Sequence, residues 1–215
     1  GKEKILKYFS PDPSRVVVMP FSSFFLDYQS ENVIQIDLHK KYNIKEEYIF
    51  YPAQFWPHKN HYYILEALYI LKNEFSKSVS VVFSGGDKGN LEYIKNSVRN
   101  LDLSKQVHFV GFVNDNELEL FYRNSIALVM PSYFGPTNLP PLEAFSLETP
   151  VIYPNEPDLR EQVSSAALLM DLQDPMSLAS HLNNLMTIPS LRDDLIAKGI
   201  KRLDELKNQN DNELF

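Results

Sequence analysis

What limits the fold most is an alternation. Short apolar runs rich in Val, Ile, Tyr and Phe recur along the chain: RVVVMP (15–20), EEYIFYPA (46–53), SVVFSGG (80–86), QVHFVGF (106–112), SIALVMPS (125–132), TPVIY (149–153) and ALLMD (167–171). Between them lie segments of helical spacing. KNHYYILEALYILKNEF (59–75) places Ile64, Leu65, Leu68, Leu71 and Phe75 on one face. NLEYIKNSVRNL, NDNELELFYRN and DLREQV follow, and two terminal helices are predicted over 175–187 and 189–207, parted by TIPS. Asn114 or Asp115 is the expected N-cap of the third such segment. Runs this short and this uniformly apolar predict strands buried on both faces, hence a parallel sheet between helix layers. Right-handed crossovers make that a Rossmann-like, doubly wound α/β domain.

Composition narrows the function. The 215 residues carry a net charge of -7, so broad electrostatic attraction to nucleic acid or anionic lipid is not expected, and any anion must be held by a local site. Absence of cysteine excludes disulfides and thiolate metal sites and suits a reducing, cytoplasmic compartment. No apolar run approaches the ~20 residues of a membrane helix. The opening GKEKILKYFSPDPS reads like the tail of something longer, and the chain like a fragment.

Doubly wound sheets bind ligands beyond the carboxyl ends of their strands, and the unusual residues of this chain fall there. Gln54, His58 and Lys59 follow the run 46–53; Gly85 and Gly86 follow 80–84; Gly111, Phe112 and Val113 end 106–112; Tyr133 through Glu143 follow 125–132. His58 and Lys59 open a helical segment, where free N–H groups and an ammonium together would hold an anion; the plainer reading is a solvated lysine. Gly85 and Gly86 match neither a dinucleotide fingerprint nor a P-loop, and allow a tight turn and close ligand approach. Phe112 either frames a base or packs. In FGPTNLPPLEAF (134–145), Pro140 and Pro141 suit a first helical turn, Asn138 or Thr137 is the expected cap, and the amides of Asn138 and Leu139 stay free to face a ligand. Glu143 is either a favourable charge near the helix N-terminus or a bidentate acceptor for two sugar hydroxyls. By chemistry alone the two stand level. The histidines show no metal-ligand spacing, and neither a nucleophile elbow nor G-x-G-x-x-G is present.

YPAQFWPHKNH, VVFSGG, VHFVGFV, LVMPSYFGPTNLPPLEAFSLETPVI and LREQV, in that order, resemble the donor-binding half of a retaining glycosyltransferase of family 4, with the GT-B fold, over roughly residues 46–190. The resemblance implies that Lys59 meets the diphosphate of a UDP- or GDP-linked sugar. Glu143 matches the second glutamate of the family's E-x₇-E motif and would hold the ribose hydroxyls. Gly111, Phe112 and Val113 would line the base side, Gly135, Thr137, Asn138 and Leu139 the turn that meets phosphate and sugar, and Gly86 would be a further donor-binding position. It further implies retaining transfer of a hexose without metal or cofactor. The glycan or lipid-linked acceptor would be bound by an N-terminal domain, with peripheral membrane association of the full-length protein if that acceptor is a lipid. Residues 1–45 would be an interdomain linker and first strand region, 46–190 the nucleotide-sugar domain and 191–215 a C-terminal helix. Two positions depart from the pattern: the first glutamate falls at Gly135, and the usual arginine before the lysine at Gln54. They mark either a variant subgroup with another sugar geometry or a weak or inactive site, the latter being a non-catalytic nucleotide- or protein-binding module. A nucleotide-sugar epimerase or hydrolase on the same architecture is a further alternative.

Overall fold

The structure is a computed structural model, which describes residues 2–17, 36–135 and 138–213. Its strands are β1 (Tyr48–Pro52), β2 (Ser80–Ser84), β3 (Val107–Gly111), β4 (Leu128–Val129), β5 (Val151–Pro154) and β6 (Ala167–Met170). They form one sheet in the order β3-β2-β1-β4-β5-β6, every pair parallel. This is the order of a Rossmann-like, doubly wound sheet, the architecture that the alternation predicts.

The helices are α1 (Lys2–Phe9), α2 (Leu38–Tyr42), α3 (His61–Glu74), α4 (Leu91–Asn100), α5 (Asp115–Arg123), α6 (Leu139–Ser146), α7 (Pro157–Val163), α8 (Pro175–Thr187) and α9 (Pro189–Glu213). Adjacent residues of β1 show how they cover the sheet. Tyr51 packs on His61 of α3, while Phe50 stacks on Phe121 and meets Tyr122 edge-on, both from α5. Neighbouring strand side chains point to opposite faces, so α3 and α5 lie on opposite sides. Tyr48, Ile49, Phe50 and Tyr51 are consequently all fully buried, which is why β1 reads as a continuous apolar run rather than an alternating one. α8 packs on α3, and α9 on α6. Gly199 of α9 lies so close to Phe145 of α6 that a Cβ there would come within 2.7 Å of the ring. Arg192 and Arg202 then tie α9 to the body through the carbonyls of Ser125, Ile126, Glu161 and Gln162.

Three local expectations change. The described part of 1–45 is helical, with Arg15 closing a 3-10 turn (Pro13–Arg15) and Val16 and Val17 outside any strand; the remainder of the run 15–20 lies outside the described residues. The run 125–132 is buried throughout, as predicted, yet its strand is only Leu128–Val129. Its ladder bonds extend from Ile126 to Met130, and Pro131, without an N–H, cannot continue them. Third, Lys59 is not in the helix that follows β1. Pro57–Lys59 form a separate 3-10 turn, and Asn60, at φ 55 and ψ 41, redirects the chain into α3. Asparagine is among the few residues that enter the left-handed region at low cost.

Candidate active site

Strand order reverses direction between β1 and β4, and the crevice there is where a doubly wound sheet takes its ligand. A cavity of about 380 Å³ opens at this point, lined by Pro52, Ala53, Gln54, Trp56, His58, Lys59, Met130, Asn138, Leu139 and Pro140. The loop after β1 forms one wall, and the end of β4 with the start of α6 forms the other.

Hydrogen bonds buckle the two walls together. Tyr51 Oη donates to the Lys59 carbonyl (2.9 Å) and shares a bond with Ser132 Oγ (3.0 Å). The Tyr133 amide donates to the His58 carbonyl (3.1 Å), and the His58 ring stacks on Phe134 at 4.6 Å between centroids. The backbone carrying Lys59 is therefore held from β1 and from the loop beyond β4. Burial lowers the Lys59 pKa below the usual lysine value, and among the described residues no carboxylate lies within ion-pair distance of its ammonium. Burial and the Lys59 charge both push His58 down. Gln54 accepts from Trp56 Nε1 (3.2 Å) and adds no charge. Among the described residues the cavity thus has on its wall a partly desolvated ammonium, Lys59, with no carboxylate partner.

Asn138 stands at the N-cap position of α6 but does not cap it, contrary to expectation. A cap oxygen accepts from the N–H of the second or third helical residue; here these are Pro140 and Pro141, which have none. The Asn138 side chain turns elsewhere. Its Nδ2 donates to Tyr153 Oη, Tyr153 Oη donates to Gln162 Oε1 (3.5 Å), and Gln162 Nε2 donates back to the Asn138 carbonyl (2.6 Å). The other expected cap, Thr137, lies outside the described residues.

Glu143 lies one turn further into α6, outside the cavity lining, and accepts from Tyr122 Oη (2.7 Å). Burial raises its pKa above the usual carboxylate range, with the Tyr122 hydrogen bond opposing. The base-side residues form a separate corner at the ends of β2 and β3. Gly111 has φ +69, and its carbonyl accepts from Ser84 Oγ and the Gly85 amide. Phe112 is 76% exposed, and a Cβ on Gly86 would come within 2.7 Å of its ring; Val113 packs against the core. The structure therefore gathers Gln54, His58, Lys59, Asn138 and Leu139 around one cavity and leaves Glu143 and the Gly86–Val113 corner at its flanks.

Tyr51, Tyr122, Tyr153 and Gln162 were not singled out from the sequence. The tyrosines lie in segments that read as core, and each is fully buried. The only sequence signal is a hydroxyl in a place where phenylalanine would pack as well.

Comparison with known proteins fits this geometry. The family described as Glycosyl transferases group 1 matches residues 35–202. The O-antigen chain mannosyltransferase RfbU of Salmonella typhimurium is 28% identical over 188 residues, 87% of this chain and 49% of that protein. The chain spans about half the length of the curated relatives it matches. Among solved structures, Anabaena Alr3699/HepE in complex with UDP-glucose superposes with a TM-score of 0.70 at 15% identity, covering 82% of this chain and 50% of that one. The C-terminal domain of a glycosyl transferase group 1 family protein (LpcC) from Francisella tularensis gives 0.66 at 21% identity, covering 77% and 89%.

Proposed function

Because the chain belongs to the Glycosyl transferases group 1 family, we propose that it is the donor-binding half of a retaining, metal-independent glycosyltransferase that moves a hexose from a UDP- or GDP-linked donor to a glycan or lipid-linked acceptor. The observation that carries this reading is Lys59, a cation on the wall of a cavity at the sheet's switch point with no counter-charge among the described residues. Its volume lies within the usual range for small-molecule sites. The crystallised relative carrying UDP-glucose supports the ligand class, and the mannosyltransferase relative makes GDP-mannose the first donor to try.

In this reading the diphosphate lies against Lys59 and the amides of Asn138 and Leu139. The acceptor hydroxyl attacks the anomeric carbon from the face the diphosphate leaves. The bond from that carbon to the phosphate oxygen breaks, the hydroxyl proton passes to the departing phosphate, and the charge growing there is met by groups already in place. Glu143 takes the ribose hydroxyls with the oxygen that Tyr122 does not hold, and the Gly86–Val113 corner takes the base. Gln54, unlike an arginine, leaves Lys59 as the main charge. Residues 46–190 form the donor domain, with 1–45 and 191–215 joining it to an acceptor-binding half supplied by the rest of a longer protein, as the relatives' length suggests. A lipid-linked acceptor would bring that protein to the membrane surface. The described residues themselves include no helix long and apolar enough to cross one.

Calorimetric titration of the chain with UDP, GDP, ADP and NAD tests the reading. Saturable binding of UDP or GDP, lost in Glu143→Ala, is expected. Preference for NAD, or silence from all four in a folded sample, would contradict it and favour the non-catalytic module.

A further inference from the structure

The empty place of the expected carboxylate at position 135 has a physical explanation in Asn138. Gly135 is not in the left-handed region, so its backbone does not require glycine. Space does: a Cβ at this position would overlap Asn138 Oδ1 and lie 3.0 Å from both Cγ and Nδ2. The asparagine carboxamide fills the volume a side chain at 135 would enter.

That carboxamide is available and fixed. Prolines at the second and third positions of α6 leave it nothing to cap, and the ring of bonds through Tyr153 and Gln162 holds its Nδ2 and its carbonyl. The residue is only 5% exposed and lines the cavity. Its Oδ1 accepts no hydrogen bond among the described residues, yet is not among the sealed, unpartnered atoms. An oriented acceptor on a cavity wall, with its own amide nitrogen already engaged, is complementary to a hydroxyl donor. Burial raises the Tyr153 pKa to about 12, so the phenol stays protonated and the ring of bonds persists at working pH.

We propose that Asn138 Oδ1 accepts a hydroxyl of the donor sugar, a neutral acceptor supplied from the start of α6 in place of a carboxylate at position 135. The inference rests on the donor-site reading above and adds its sugar-recognising group. Its consequence is that Asn138 discriminates between a nucleotide sugar and the bare nucleotide, which a purely structural asparagine would not do. Asn138 occupies the volume that a side chain at position 135 would need.

The test compares UDP with UDP-glucose, and GDP with GDP-mannose, titrated into the 215-residue chain and into N138A, N138D and G135A. Loss of one neutral hydrogen bond is about a fivefold change in affinity. We expect N138A to weaken the nucleotide sugar about fivefold more than it weakens the bare nucleotide. N138D, which keeps the shape and an acceptor, restores the sugar increment. G135A crowds the carboxamide from the other side and reproduces the N138A loss without touching Asn138, so the test survives if N138A fails to fold. An unchanged sugar-to-nucleotide ratio in both N138A and G135A, or equal loss of both ligands, overturns the inference and leaves the donor-site reading standing. Failure of the wild-type chain to bind any of the four removes both.

Discussion

Replacing Lys59 by methionine separates function from stability in a way few other changes in this chain should. The ammonium is partly buried, has no carboxylate partner among the described residues, and has its pKa lowered by that burial. Folding therefore already bears part of the cost of desolvating it. A base with a depressed folded pKa contributes stability only above its unfolded pKa and loses it as the pH falls, so near neutrality the charged form is no asset to the fold. Methionine keeps the unbranched stem and removes the charge, and the apo stability of Lys59→Met should stay within about 0.5 kcal/mol of wild type or rise slightly. Binding should behave differently. A hydrogen bond to a charged group is worth about 1.5–3 kcal/mol, or roughly a 10- to 150-fold change in Kd. The partly desolvated site favours the upper part of that range, because less water remains to be removed when the phosphate arrives. The assays are thermal unfolding of the free chain and calorimetry with nucleoside against nucleoside diphosphate. The reasoning fails if the nucleoside and the diphosphate weaken equally, or if the variant unfolds several degrees early.

Other substitutions address the rest of the site. Glu143→Gln should weaken ribonucleotides about fivefold or more while leaving 2′-deoxyribonucleotides nearly unchanged; equal effects would leave Glu143 as a charge at a helix start. Its raised pKa also means that folding favours the protonated carboxyl, a contribution present at acid pH and lost as the pH rises through the raised value. The ribose preference should therefore decline on acidification at a higher pH than for an ordinary carboxylate, which a pH series of the same titrations would reveal. Tyr122→Phe removes the hydrogen bond that opposes this shift, and should move that decline to still higher pH. His61 is fully buried among Tyr51, Phe55 and Phe83, neither ring nitrogen has a geometrically satisfactory hydrogen bond among the described residues, and burial pushes its pKa down to about 3. Its contribution to stability is complete above the ordinary histidine value and falls as the pH drops from there towards 3. His61→Phe should raise stability by about 1 kcal/mol and flatten acid unfolding in that window; an unchanged acid limb would show that His61 is not the group responsible.

What could be read in advance divides along physical lines. The sheet was legible because a parallel strand covered on both faces has to be apolar at every position, and β1, β2 and the run around β4 display that directly. The run 15–20 has the same local composition but forms no strand in its described part, because short β-branched runs carry no information about whether a neighbour is present to pair with. The site's location was legible from one rule about strand ends, which brought Gln54, His58, Lys59, Asn138 and Leu139 to a single cavity. Residue roles were harder. Asn138 has the identity of a cap, but its role was reassigned by two prolines that abolish the donors, an effect visible in the sequence only once the helix start is known to the residue. Tyr122 and Tyr153 were hidden because their rings serve the core while their hydroxyls serve the site, and a sequence shows only the ring's apolar neighbours. The close approach of Gly135 to Asn138 depends on the path of the loop between them, which no local propensity specifies.

The most direct test of the central claim is a crystal structure of the chain with GDP or UDP, whichever binds. The account places the diphosphate in the cavity between β1 and β4, with a phosphate oxygen within hydrogen-bond reach of Lys59 Nζ and of the Leu139 amide, and the ribose on the Glu143 side. A diphosphate bound away from that cavity, or one in it that leaves Lys59 turned to solvent, would contradict the account.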